Sequence, residues 1–113
     1  MLKRAALVLA IFLLALPAGA TSPKQVTLDY NRGTKTLTVT ADHYTFAPTM
    51  HFVKTIEVEV DGVKVTTKTM TGQTNNNQQI VKIPLPDVKP GAKITVTCYC
   101  SLFGSKSAEI TAP

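Results

Sequence analysis

Few side chains in this sequence could hold a metal ion or move electrons: two histidines, His43 and His51, and two cysteines, Cys98 and Cys100, in 113 residues. Both cysteines fall in the stretch ITVTCYCSLFG, Ile94 to Gly104, where Ile94, Val96, Cys98 and Cys100 alternate with Thr95, Thr97 and Tyr99. Period two predicts a half-buried strand with both thiols on its inward face and a turn just beyond. A thiol at the last inward position of a core strand is fixed by the strand and reached through the loop, a setting in which metal and redox sites are easily built. Cysteines two apart on one face have Cα atoms roughly 6–7 Å apart and parallel side chains, which disfavours a disulfide between them. Cys98 is therefore expected to pack as a small hydrophobe, and Cys100 to be the ligand or reactive thiol.

His43 shares the phase of Leu37, Val39 and Ala41, so its imidazole faces inward if that strand runs two residues further. His51 opens the next strand, but His51 and Val53 are out of phase with Ile56, Val58 and Val60. It turns inward only if a bulge or loop lies between; otherwise Phe52 takes the inward position. A lone histidine is most often an ordinary loop residue. Two of them bracketing one loop, with a thiol at the end of another strand, point instead to a metal, because borderline ions take imidazole nitrogen and thiolate sulfur together. Hydrolase chemistry has no support: there is no Gly-x-Ser-x-Gly, no glycine-rich phosphate loop and no His-Glu-x-x-His, and Glu57 and Glu59 read as a solvated strand face.

The elements that must position these residues read almost entirely as strand. Val26, Leu28 and Tyr30, a turn at Asn31 to Thr34, then Leu37, Val39 and Ala41 make a hairpin. Asp42 to Met50 reads as a partly buried loop. Asp61-Gly62 between two alternating runs is the strongest hairpin signal in the chain. Val63, Val65, Thr67 and Thr69 carry the return strand, and Gly72 to Gln79 reads as an exposed polar loop. Val81, Ile83 and Leu85 form the next strand, then the cysteine strand, then Ala108 to Thr111. About seven short strands without a helix predict an all-β fold, an immunoglobulin-like antiparallel β-sandwich, with a small barrel as the alternative.

Residues 1–20 read as a secretory signal peptide: Lys3 and Arg4 precede an apolar run from Ala5 to Leu16, which breaks at Pro17 and ends in Ala18-Gly19-Ala20. The expectation is an exported, periplasmic or secreted protein with one domain over residues 21–113 and no membrane anchor after cleavage. Cleavage takes the formal charge from +5 to +3, because Lys3 and Arg4 leave. The remaining cations are scattered among acids and threonines without clustered aromatics, which argues against nucleic acid as a partner.

A histidine, a proline-containing loop, a second histidine opening HFVKTIEVEVDGVKV and a late CYCSLFGS together resemble the desulfoferrodoxin and superoxide reductase domain over about Asp42 to Ser107. The resemblance implies an iron site, in which His43 and His51 resemble two equatorial ligands and Cys100 the axial thiolate, and it implies superoxide reduction with a redox partner protein. The sequence departs from that pattern at Ser101, where the family has asparagine, and at Phe103, where it has histidine. Two histidines cannot supply the family's four. A site of His43, His51 and Cys100 suits copper or zinc at least as well as iron, and Phe103 beside the sulfur is expected to shield it. Two other classes compete: a metal-free accessory domain that docks a partner through the Asp42–Met50 loop, and a thiol carrier using Cys100.

Overall fold

The computed structural model describes residues 22–113; the proposed signal segment lies outside them. Seven strands follow one another: β1 (Gln25–Asn31), β2 (Thr36–Asp42), β3 (Val53–Val60), β4 (Val63–Thr69), β5 (Gln78–Pro84), β6 (Lys93–Cys100) and β7 (Ser105–Thr111). They form two antiparallel sheets, β1-β2-β5 and β4-β3-β6-β7, so the expected immunoglobulin-like sandwich is what the chain makes, and the sheets do not close into a barrel.

The alternation that signals each strand is also what packs it. Leu37, Val39 and Ala41 of β2 and Ile83 of β5 on one sheet, and Ile56 and Val58 of β3 and Ile94, Val96 and Cys98 of β6 on the other, are fully buried in one core. Asp61 and Gly62 both take positive φ, at 50° and 80°, as the two-residue turn between β3 and β4 requires. In the first hairpin the left-handed position falls on Lys35, at φ 52°, rather than within Asn31–Thr34.

Four strands differ from their expected form. β3 starts at Val53 rather than at His51, and β5 starts at Gln78, inside the segment read as an exposed loop, because Gln79 is buried. The alternation in β4 predicts buried valines, yet Val63 and Val65 stay exposed. The β3–β4 ladder slips between Val58 and Glu59, leaving Val65 unpaired, and β4 is an edge strand with only one neighbour to pack against. β7 begins at Ser105, three residues before the apolar signal, because backbone pairing of Tyr99 with Ser105 continues through the polar SKS segment.

Candidate metal centre

β2, β3 and β6 all bring one end to the same pole of the sandwich, and each of the three residues expected to bind metal lies at such an end. Asp42 closes β2, and the backbone N–H groups of His43 and Thr45 go on to donate to the carbonyls of Asn77 and Asn76 at 2.9 and 2.7 Å. The inward alternation therefore outlasts the strand: His43 and Thr45 are buried while Tyr44 and Phe46 are exposed. Cys100 is the last residue of β6, 8% exposed, and its N–H donates to the carbonyl of Gly104, whose φ of 97° closes the turn.

His51 needs a bulge, and the bulge is present. Val53 pairs with Cys100 and Thr55 with Tyr99, so Lys54 is an extra residue that opposes nothing on β6. Val53 and Ile56 can then both be fully buried although they are three apart. A turn in which the N–H groups of Met50 and His51 both donate to Ala47 O, at 2.9 and 2.8 Å, sets the ring of His51 beside that of His43. The ring centroids are 4.8 Å apart and nearly perpendicular. One ligand atom each from His43, His51 and Cys100 lies within 4.8 Å of the others, and among the described residues this is the group of three or more that could hold a metal ion.

The polar groups around this cluster select the state a metal needs. Gln73 donates from Nε2 to the carbonyls of His43 and Asn75, at 2.7 and 3.0 Å, and its Oε1 accepts from Val53 N–H at 3.2 Å. That fixes the amide orientation, so Oε1, 2.9 Å from His43 Nδ1, can only accept a proton there. His43 is therefore held with its proton on Nδ1 and its lone pair on Nε2. On the other ring, His51 Nε2 is buried without a hydrogen-bond partner, the kind of orphaned nitrogen that a metal satisfies. Replacing Gln73 with Leu should release the His43 tautomer, visible in ring ¹⁵N shifts of the metal-free protein, and weaken metal binding by about 10–100-fold. Gln73→Glu should preserve the tautomer.

Burial, reinforced by the neighbouring His43, lowers the pKa of His51 from its ordinary 6.5. As pH falls through the ordinary histidine range, the unfolded chain takes up this proton before the folded one. The contribution of His51 to stability is thus fully present above pH 6.5 and is lost as pH falls toward the folded value. The urea midpoint of the metal-free protein should drop between about pH 7.5 and pH 5.5, and His51→Gln should lessen that drop.

Cys98 does not join the cluster. It is a free thiol like Cys100, but fully buried one pleat deeper, opposite Ile56, where burial pushes its pKa up to about 12. Phe103, expected to shield the sulfur, is 51% exposed, while Cys100 itself is 8% exposed. Gln73 carries no site signal in the sequence, and Ser101 only its place in the resembled motif, yet both support the cluster. The hydroxyl of Ser101 accepts from Phe52 N–H at 3.1 Å and donates to Met50 O at 3.2 Å, and its N–H donates to Phe52 O, joining the His51 loop to the Cys100 turn.

No family model matches the chain, and no curated protein matches it. Among solved structures, it is similar to a superoxide reductase (neelaredoxin) from Ignicoccus hospitalis at 15% identity and a TM-score of 0.48, over 88% of this chain and 86% of that one. A likeness at that level carries no argument about activity. What the site can do rests on its own atoms.

Proposed function

We propose that this chain is an exported metal-binding domain in which His43, His51 and Cys100 hold one transition-metal ion. The observation that carries the reading is the buried, unpartnered Nε2 of His51, set beside a histidine whose tautomer Gln73 fixes and a buried free thiol. Two neutral imidazoles and a thiolate form a borderline-to-soft donor set that suits copper(I) and zinc, while iron is the ion that the superoxide reductase resemblance implies. With iron or copper bound, the ion would supply one-electron chemistry, so electron transfer or superoxide reduction with a redox partner protein follows from this reading. The chain's own part is to hold the donors oriented and largely out of water. Export is supported by the Lys3–Ala20 pattern, and the exported protein should begin at Thr21.

Titrating the reduced protein with copper(I), ferrous and zinc ions against a chromophoric chelator tests the reading. One-to-one binding of at least one ion, tighter than about micromolar, is expected. Failure of all three would leave a metal-free accessory sandwich.

A further inference from the structure

The two loops that carry the three candidate ligands also carry most of the large apolar side chains that the fold leaves in water. Tyr44, Phe46 and Met50 on the His43–His51 loop are 68%, 83% and 76% exposed, and Leu102 and Phe103 on the turn after Cys100 are 59% and 51% exposed. Ser101 bonds to Met50 and Phe52, so these are neighbouring tips on one tied surface. Scattered exposed hydrophobes need no explanation, but five gathered on two joined loops do.

Charge is gathered at the same pole. From the Ile56–Cys98 rung outward to these loops, the described residues hold Lys24, Lys54, Lys68 and Lys106 against Asp42 alone. None of the four lysines is in an ion pair among the described residues; the ion pairs, Lys64–Glu57 and Lys93–Glu109, lie in the other half. There, cations and acids balance, six against six. The net positive charge of the described domain therefore falls in the half that carries the apolar pole, with Glu57 the first acid beyond the dividing rung.

We infer that this pole docks on an anionic lipid surface, seating the tyrosine, phenylalanine, methionine and leucine tips at headgroup depth with the lysines ringed about them. Aromatic and aliphatic tips flanked by unpaired lysines match the interface of an anionic bilayer, where each lysine adds about 1 kcal/mol. A protein partner fits less well. Protein interfaces are depleted in lysine and enriched in arginine, and this pole has four lysines and no arginine. A charge-polarised domain is also oriented end-on by a uniformly negative plane.

The sequence contains no tryptophan, so a single one reports its own position. Phe46→Trp at the pole and Val63→Trp at the far end, both made in the full chain, share whatever the first 21 residues do. With a chelator present, each is mixed with phosphatidylcholine vesicles with or without phosphatidylglycerol, carrying brominated acyl chains. The reporter at position 46 should shift to the blue and be quenched on the anionic vesicles, while that at position 63 stays in water. Lys54→Gln and Lys106→Gln should each weaken the partition about fivefold. Equal quenching at both positions, or none at either, overturns the inference. So does a shift at position 46 that follows polyglutamate instead of lipid, which assigns the pole to an acidic protein, or one that follows protein concentration alone, which assigns it to a second copy. The chelator makes the outcome independent of metal binding, so failure here leaves the proposed function standing.

Discussion

Cys100→Ser is expected to lower the affinity of the proposed site for copper(I), zinc or ferrous ion by at least about a hundredfold, and elemental analysis of the purified variant should find almost no metal. The change keeps the size of the side chain and replaces a thiolate by a hydroxyl, a far poorer ligand for copper, zinc or iron at neutral pH. Loss of an outer partner of a ligand already costs about 10–100-fold, so loss of a ligand in a three-residue set should cost at least the upper part of that range. Cys98→Ser separates ligation from packing. Cys98 is fully buried one pleat deeper and outside the cluster, so its serine variant should retain metal affinity within a few-fold. It should instead lose about 1–3 kcal/mol of stability by burying a hydroxyl in an apolar site. If Cys100→Ser retained the ion and Cys98→Ser lost it, the assignment of ligands would be wrong.

Gln79→Leu should be the most destabilising single change near the site, by about 2–4 kcal/mol, a fall in melting temperature on the order of 10–20 °C. The side chain is 3% exposed, and both ends of its amide are used. Nε2 donates to Val53 O at 2.9 Å and Gly72 O at 2.7 Å, while Oε1 accepts from the N–H and hydroxyl of Thr74 at 3.0 and 2.9 Å. Leucine fills the volume but strands these backbone groups, and a buried polar group left without a partner costs more than a hydrogen bond normally contributes. Because Gly72 and Thr74 flank Gln73, the same change should free Gln73 from His43 and weaken metal binding together with the fold. Asn76→Ala in the same loop is the control. Asn76 is exposed and contributes its backbone carbonyl rather than its side chain, so stability should move by less than about 0.5 kcal/mol.

These two glutamines mark where sequence reading stops. The segment GQTNNNQQ has the composition of an exposed loop, and its tip, Thr74 to Asn77, is exposed. Gln79 leaves a trace, since it keeps the inward phase of Val81, Ile83 and Leu85. A polar residue at an inward position at a strand's start is a candidate for a buried hydrogen-bonding role. Gln73 leaves none. Apart from the carbonyl of Asn75, its side-chain partners are 30 and 20 residues away, at His43 and Val53, and no local pattern encodes a contact between a loop and two strand ends. The overall sandwich is far more legible, because each strand's alternation is itself the packing instruction and Asp61-Gly62 fixes a hairpin by backbone chemistry alone.

The sequence by itself determined the strands, the inward phase of His43 and Cys100, and the condition His51 had to meet. Tertiary structure decided whether that condition held. The extra residue Lys54 is tolerated because β3 pairs with β6 across Val53–Cys100 on one side of it and Thr55–Tyr99 on the other, a register that exists only once the two strands have met. Convergence of the three ligand atoms to within 4.8 Å, the tautomer of His43 and the orphaned nitrogen of His51 are likewise properties of strand ends brought to one pole by long-range pairing. Periodicity gives each side chain a face. Only the assembled sheets give it neighbours, since contacts between residues roughly 30 to 60 apart depend on register and loop path rather than on local propensity.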